Sequence, residues 1–404
     1  MSAHNRSKKA SAGGSSIELF TGGGGLALAM DVEGFRHLVA VENNPRACET
    51  LRDNIADVYS VTTAKRIIER NRWPLIESDV REVDFTRWRG EVDLVAGGVP
   101  CQPWSIAGSR LGYEDPRNLW PELFRVVRQT RPLVVVAENV TGLLRPFFRP
   151  YYDYVLRELS APFEERVEDE EWMDHDKRLV KALASEGDDQ TERYVVNHHV
   201  LNAADYGVPQ HRKRVFVVAF RADLGLGPWE APKPSHSEAA LVREQANGLY
   251  WERHGIEPRL GYAADMLDVT DDSKPWQTLR DAIVGLPTPV LDRQEHPEFL
   301  HHVGWPGARE YRGHLPSDLD RPAKTVKAGV HGVAGGECTV RLDDGSVRYL
   351  TVREVARLMT FPDDWRLAGS RGPQMRQLGN AVPVALGRAV ARSVADALRS
   401  AREA

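Results

Sequence analysis

An apolar run, Ser16-Ile17-Glu18-Leu19-Phe20, breaks at Thr21 into four consecutive glycines, Gly22 to Gly25, and apolar residues then recur at helical spacing over Leu26–Met30. Strand, glycine loop and helix in immediate succession leave few folds open. Glycines there let the backbone approach a ligand closely and take dihedral angles that other residues avoid. Further strand-like runs follow at Leu38–Glu42, Leu75–Ser78, Val92–Gly97, Leu133–Glu138, Val195–Leu201 and Arg214–Phe220, with a helix-like stretch over Leu119–Val127. The alternation predicts an α/β domain, a doubly wound parallel sheet covered by helices. Its ligand crevice is expected at the carboxyl ends of the strands, where the chain order reverses.

At 404 residues the chain exceeds the usual size of one hydrophobic core. Residues 1–15 are small and polar, carry Arg6, Lys8 and Lys9, and lack the apolar stretch of a signal peptide. They read as a disordered tail before a first domain of residues 16–222. From Asp223 onward Pro, Gly, Trp and His become common and the strand–helix alternation stops, so residues 223–348 read as a second, smaller and irregular lobe. Helical periodicity returns over Val352–Met359 and Val382–Leu398, which predicts that residues 349–404 fold back onto the first domain. Within the first domain, residues 164–193 hold twelve acidic against five basic residues, a net −7; the rest of the chain is +2 against a total of −5. Binding a polyanion needs a local positive face rather than a positive total, so the charge leaves nucleic acid open as a partner. No run of eighteen apolar residues marks a membrane span. Three distant cysteines, an odd number, suggest neither a disulfide framework nor a zinc site, and fit a reducing compartment.

The glycine loop also satisfies the spacing Gly22-x-Gly24-x-x-Ala27, and Glu42 ends the second strand about twenty residues later, where a carboxylate binds ribose hydroxyls. NAD and S-adenosylmethionine both carry an adenosine whose ribose wants that carboxylate, so this motif alone admits either, an NAD-dependent oxidoreductase included. Asp79, after the third strand, can accept from an adenine amino group or simply cap a turn. Phe20 can pack against the adenine face.

The fourth strand ends in Gly97-Gly98-Val99-Pro100-Cys101-Gln102-Pro103-Trp104-Ser105. The prolines restrict the backbone and hold the thiol at a set position, whereas a structural cysteine normally sits inside a strand or helix. The fifth strand delivers Glu138-Asn139-Val140 to the same sheet edge. Gln210-His211-Arg212-Lys213-Arg214 leads into the last strand, and arginines at i and i+2 on a strand share a face, as they would on a solvated basic edge. Near the end, Gln377-Leu378-Gly379-Asn380-Ala381-Val382-Pro383 caps the last helix.

This ordered set resembles the DNA (cytosine-5) methyltransferase family. The glycine motif appears as Phe20-x-Gly22-x-Gly24-Gly25, and is followed by Pro100-Cys101-Gln102, Glu138-Asn139-Val140, Gln210 to Arg214 and Gly379-Asn380. Softer matches are Pro234-Ser235-His236-Ser237, Thr278 to Ala282, Leu350 to Glu354 and Phe361-Pro362-Asp363; together they run from about residue 16 to the C-terminus. Glu18 stands where the family usually has Asp, which should keep the charge, and the acidic insert matches no family role. The resemblance implies a Rossmann-like sheet that binds S-adenosylmethionine, with a target-recognition lobe. It implies catalytic roles for Cys101, Glu138, Arg212 and Arg214. Cofactor contacts would come from Phe20, Gly22, Gly24, Gly25, Glu42, Asn43, Asp79, Val80, Pro100, Asn380 and Val382. Substrate contacts would come from Gln102, Ser105, Asn139, Gln210 and Thr325, and no metal is required. Residues 287–340 resemble the variable recognition region, in which Arg309, Arg312, His314, Lys324, Lys327 and His331 are candidate DNA contacts. The implied partner is double-stranded DNA, bound by a cytoplasmic, nucleoid-associated monomer; a companion restriction endonuclease reading the same site is a further partner the resemblance allows.

The chemistry explains those residue types. Carbon 5 of cytosine is a poor nucleophile, and adding a thiolate to carbon 6 turns the ring into an enamine with an electron-rich carbon 5. A free thiol, with a pKa of about 8.5, is mostly protonated at neutral pH, so Cys101 needs cationic or donor-rich surroundings. A carboxyl sharing a proton with N3 would neutralise the charge placed on the ring, the role implied for Glu138, with Arg214 at O2. Inside a duplex the ring face is hidden, so the nucleotide must rotate out. Two rivals stay open: a tRNA cytosine-5 methyltransferase on the same motifs, and a catalytically silent DNA-binding module, which an intact Cys101, Glu138 and Arg214 oppose.

Overall fold

The computed structural model describes residues 13–59, 72–100, 118–185, 189–259, 272–329 and 338–403. They fall into two compact units. The first holds the chain up to Leu201, then Lys213–Ala231 and the end of the chain from Val390.

That unit is built on an eight-stranded sheet of β1 (Gly14–Leu19), β2 (Phe35–Glu42), β3 (Ala56–Val58), β4 (Trp73–Glu77), β5 (Leu94–Gly98), β6 (Val134–Val140), β7 (Tyr194–Asn202) and β8 (Lys213–Arg221). The spatial order is β3-β4-β2-β1-β5-β6-β8-β7. The seven expected runs all form strands; β3, three residues long, carried no signal of its own. Strands β1 to β6 pair in parallel, while β8 runs antiparallel to β6, so the sheet is mixed rather than wholly parallel. After β1 the chain builds outward through β2, and it later returns to place β5 on the other flank of β1. The switch point of the winding therefore lies between β1 and β5, at whose carboxyl ends the glycine loop and the cysteine loop begin. Ile17 and Leu19 on β1, Val39 and Val41 on β2, Val95 on β5 and Val135 and Ala137 on β6 alternate into one buried core with Trp120, Leu123, Phe124 and Val127 of α3 (Trp120–Thr130). On β1 the intervening Ser16 and Glu18 are buried as well. The expected tail is shorter than residues 1–15: Gly14 and Ser15 already belong to β1, where Ser15 N donates to Asp93 Oδ2 at 2.7 Å. Residues 1–12 lie outside the described residues.

The acidic insert contains α5 (Trp172–Ala184), packed on α4 (Arg149–Ser160). At that junction Glu158 is buried beside Tyr154, 3.7 Å from Arg128, and burial pushes its carboxyl up to about 7 against the smaller lowering by Tyr154 and Arg128. Because the folded value exceeds the unfolded one, this group favours the fold fully below about pH 4.5 and loses that contribution as pH rises through 7. A Glu158→Gln variant should therefore gain on the parent between pH 5 and pH 8, by up to about 3 kcal/mol in urea unfolding. Parallel pH profiles for the two proteins would contradict the burial argument.

The second unit comprises Asn202–Arg212 and Pro232–Ala389. It is irregular, as expected. Its elements are short: α6 (Glu238–Ala246), α7 (Leu249–His254), α8 (Leu279–Ile283), a paired β9 (His236–Ser237) and β10 (Lys274–Pro275), and a three-stranded sheet of β11 (Ser317–Asp318), β12 (Thr339–Arg341) and β13 (Val347–Tyr349). Buried Asp320 ties the unit together, accepting from Tyr250 Oη at 2.9 Å and Arg280 Nε at 2.6 Å and pairing with Arg259 at 2.9 Å. Helices α9 (Val352–Leu358) and α10 (Arg371–Asn380) belong here, rather than to the first unit as expected from residue 349 onward. Arg353 of α9 is the physical reason: its guanidinium donates to the carbonyls of Leu300, Pro362 and Trp365 within this unit. Only from Val390, part-way along α11 (Val384–Glu403), does the chain rejoin the sheet, where Ser393 accepts from Trp229 Nε1 at 3.0 Å and Arg402 donates to Asp93. No helix among the described residues is long and apolar enough to cross a membrane.

Candidate active site

At the carboxyl edge of the sheet the backbone after β1 turns sharply. Phe20, Gly22 and Gly24 have φ of 54°, 56° and 93°. For Phe20 this left-handed conformation is strained, and it is held by Thr21, whose N and Oγ1 both donate to Val41 O. Helix α1 (Gly25–Val32) follows at once. Gly97 on the facing β5 is glycine for a different reason: a Cβ there would lie 2.7 Å from Leu19 O.

Glu42 closes β2 and turns back under the loop. Its carboxylate accepts from Gly22 N at 2.7 Å, Asn44 N at 2.7 Å and Asn43 N at 3.0 Å. Burial raises its carboxyl nonetheless, against the lowering by those three donors. Asp79 realises the capping alternative: it accepts from Arg81 N over the short turn Val80–Glu82, and the Arg81 guanidinium holds its carboxyl down at about 2. Glu18, which stands where the family usually has Asp, is fully buried, Oε2 has no hydrogen-bond partner, and burial pushes its carboxyl well above the ordinary range.

Cys101, Gln102 and Ser105 lie outside the described residues, but the strand that feeds them does not. Gly98, the penultimate residue before Pro100, pairs in register with Glu138, and a Cβ on Gly98 would lie 3.3 Å from Glu138 Oε2. Glu138 is nearly buried and pairs with Arg214, Nε to Oε1 2.8 Å, with side-chain exposures of 8% and 12%. Asn139, also buried, donates to Val99 O at 3.2 Å and accepts from Val140 N at 2.8 Å, which fixes the entry to the cysteine loop. Gly98 was not singled out from sequence, although the Gly97-Gly98 doublet at a strand end was its signal.

Arg212 and Arg214 do not lie on one strand, because β8 begins at Lys213. The chain passes from one unit to the other between Arg212 and Lys213. Arg212 is buried, and its guanidinium donates to Val326 O at 2.7 Å, Gly379 O at 2.6 Å and Ala381 O at 3.0 Å. Gln210 is equally enclosed, donating to Leu358 O and accepting from Val326 N at 2.8 Å, while Thr325 Oγ1 donates to His211 O at 2.6 Å. Arg212, expected to be catalytic, and Gln210, expected to meet the substrate, are both bonded to backbone carbonyls and amides of their own unit, and Gln210 Nε2 also meets Met359 Sδ at 3.1 Å. Gly379 belongs to the same clamp: a Cβ there would overlap the backbone of Lys327 and Ala328. Rather than capping the last helix, Gln377–Asn380 forms the end of α10, with Asn380 exposed and Val382 buried just beyond. An Arg212→Ala substitution should lower stability by about 3 kcal/mol through the stranded carbonyls, read as an early melting transition of the full chain; an unchanged melting temperature would remove the clamp.

In the second unit a cavity of about 180 Å³ is lined by His314, Ser317, Lys324, Thr325 and Lys327 among others. Arg309, Arg312, Lys324 and Lys327 are exposed; His331 lies outside the described residues.

The profile of the C-5 cytosine-specific DNA methylase family matches residues 14–161 and 173–396. The chain belongs to that family. It is a DNA (cytosine-5-)-methyltransferase, and the oxidoreductase reading of the glycine loop falls away. It is similar to the type II methyltransferase M.NgoMIV of Neisseria gonorrhoeae, 30% identical over 390 residues covering 95% of this chain and 98% of that one. It is likewise similar to M.PspPI of Psychrobacter sp. (strain TA137), 30% identical over 400 residues, 95% of this chain and 80% of that one. Two solved structures share the methylase fold. They are the Dnmt2 methyltransferase of S. pombe (TM-score 0.53, 16% identity, 96% of this chain and 98% of that one) and the Entamoeba histolytica methyltransferase EhMeth (TM-score 0.54, 12% identity, 97% and 99%).

Proposed function

We propose that Cys101 is the nucleophile that adds to carbon 6 of a target cytosine, that Glu138 shares a proton with N3 and Arg214 meets O2, and that the methyl group comes from S-adenosylmethionine held against Phe20–Gly25 and Glu42. The observation that carries this reading is the register of Gly98 with Glu138 beside Arg214, two residues before Pro100-Cys101. The donor set fits the cofactor: a carboxylate oriented by three backbone N–H groups suits ribose hydroxyls, and the glycine loop leaves backbone open to a close ligand. Bound there, the sulfonium supplies an electrophilic methyl. Phe20 offers a ring face to adenine, and Asp79 and Val80 flank the next strand end. Asn380 and Val382 are assigned to the cofactor by resemblance alone, as are Gln102, Ser105 and Asn139 to the base. After transfer, loss of the carbon-5 proton and expulsion of the Cys101 thiolate restore the aromatic ring.

The substrate is duplex DNA with a defined recognition sequence, contacted through Lys324, Thr325, Lys327 and His314 around their cavity. The names of the relatives favour a restriction-modification role, with a companion endonuclease acting on the same site and the enzyme working as a cytoplasmic, nucleoid-associated monomer. Expression in a host free of cytosine methylation, followed by 5-methylcytosine sequencing, tests this. Methylation confined to one recurring DNA sequence is expected; unmodified DNA alongside methylated tRNA would overturn it in favour of the RNA substrate.

A further inference from the structure

The Arg212 clamp draws together two stretches of the second unit that carry cations and no carboxylates. One is residues 321–329, with Arg321, Lys324 and Lys327. The other starts at Arg366 and includes Arg371 and Arg376 of α10, with no Asp or Glu between Asp364 and Asp396. Arg212 donates to Val326 O in the first at 2.7 Å and to Gly379 O in the second at 2.6 Å. Gly379 sets how closely they approach: a Cβ there would lie 2.4 Å from both the carbonyl carbon of Lys327 and the nitrogen of Ala328. Lys327 therefore sits against the last turn of α10. Arg376 precedes Gly379 by three residues, so it neighbours that contact on the helix surface.

These cations differ in what they already hold. Arg321 pairs with Glu238, Lys324 donates to Leu315 O at 2.6 Å, and Arg371 stacks 5.4 Å from the ring of Trp305 and 5.7 Å from that of Tyr349. Lys327 and Arg376 are exposed, and neither head has a hydrogen bond or an ion pair among the described residues. Neighbouring like charges repel, and a polyanion laid across them removes that cost. An exposed cation with no partner to fix its rotamer suits a phosphate, which takes charge from many directions, better than a base edge, which needs fixed donors. Lys327 also lines the cavity with Lys324 and Thr325, so the two heads continue a surface already assigned to DNA.

We propose that Lys327 and Arg376 form a phosphate-binding seam for duplex DNA, which supplies affinity and orientation without reading bases. The seam rests on duplex DNA being the substrate. Arg376 lies beyond residues 287–340, so the DNA surface extends past the variable region onto α10 and holds the duplex against the helix that ends at Asn380.

The test uses the full chain, a short fluorescent duplex carrying the sequence found methylated in the host, and a scrambled duplex of equal composition. Anisotropy is measured from about 50 to 200 mM salt, where each phosphate contact multiplies the loss of affinity by about three- to fourfold. Lys327→Ala and Arg376→Ala should each show a loss smaller by that factor than the parent's, equally on both duplexes and at the parent's melting temperature. Arg376→Lys should restore the parent's salt dependence, because a phosphate answers to the charge rather than to the planar head. Parent-like salt dependence in either folded alanine variant would overturn the seam while leaving duplex DNA as the substrate. An effect confined to the methylated sequence would overturn it as well, by making these residues base contacts. Failure of the parent to bind either duplex, alongside binding to tRNA, would instead sink the substrate reading on which the seam rests.

Discussion

Replacing Cys101 with serine should lower methyl transfer to duplex DNA by at least about 10³-fold while S-adenosylmethionine still binds. A serine hydroxyl cannot supply the anion that a thiol can at neutral pH, so the enamine never forms and the hard step is no longer divided. Cofactor affinity should hold because Glu42 and the glycine loop are oriented by their own backbone bonds, independent of the thiol. Two measurements check this: single-turnover transfer, and calorimetric binding of the cofactor. An oligonucleotide carrying 5-fluorocytosine adds a direct readout, since fluorine at carbon 5 cannot leave as a proton would. The parent should become covalently trapped and the serine variant should not. Normal turnover in the serine variant would sink the nucleophile assignment.

Glu138→Gln should slow transfer by about 10²- to 10⁴-fold, the range of a lost proton-sharing group. The substitution keeps the shape of the side chain and an oxygen facing Arg214, but it removes the anion that the guanidinium pairs with at 2.8 Å. Some loss of stability is therefore expected, since breaking a nearly buried pair leaves a cation without its partner. Kinetics separate the two effects: a merely structural role would lower the fraction of folded enzyme, leaving the rate per folded molecule intact. Cofactor affinity should change little, because no part of the Glu42 network touches Glu138. An unchanged transfer rate in folded protein would remove Glu138 from the reaction.

Arg212 and Arg214 show how similar sequence signals divide. Both belong to one short motif and both are arginines with little exposure, yet Arg214 faces a carboxylate at the sheet edge while Arg212 holds three carbonyls of its own unit, the second. Activity lost on substituting either would look alike in an assay. The melting temperature distinguishes them, because only Arg212 joins segments as far apart in sequence as Val326 and Gly379.

The amino-acid sequence by itself determined the strand pattern, the glycine loop with Glu42 at the next strand end, and the motif order that marks the family. These are local properties: alternation of apolar residues, a glycine run and the spacing of a few side chains survive without knowledge of what packs where. The tertiary structure alone decided the rest. The antiparallel β8, the short β3, the attachment of α9 to the second unit through Arg353, the burial of Glu18 and the division between Arg212 and Arg214 all depend on partners distant in sequence. A buried charge takes its meaning from the groups that surround it in space, and no spacing along the chain reports which groups those are.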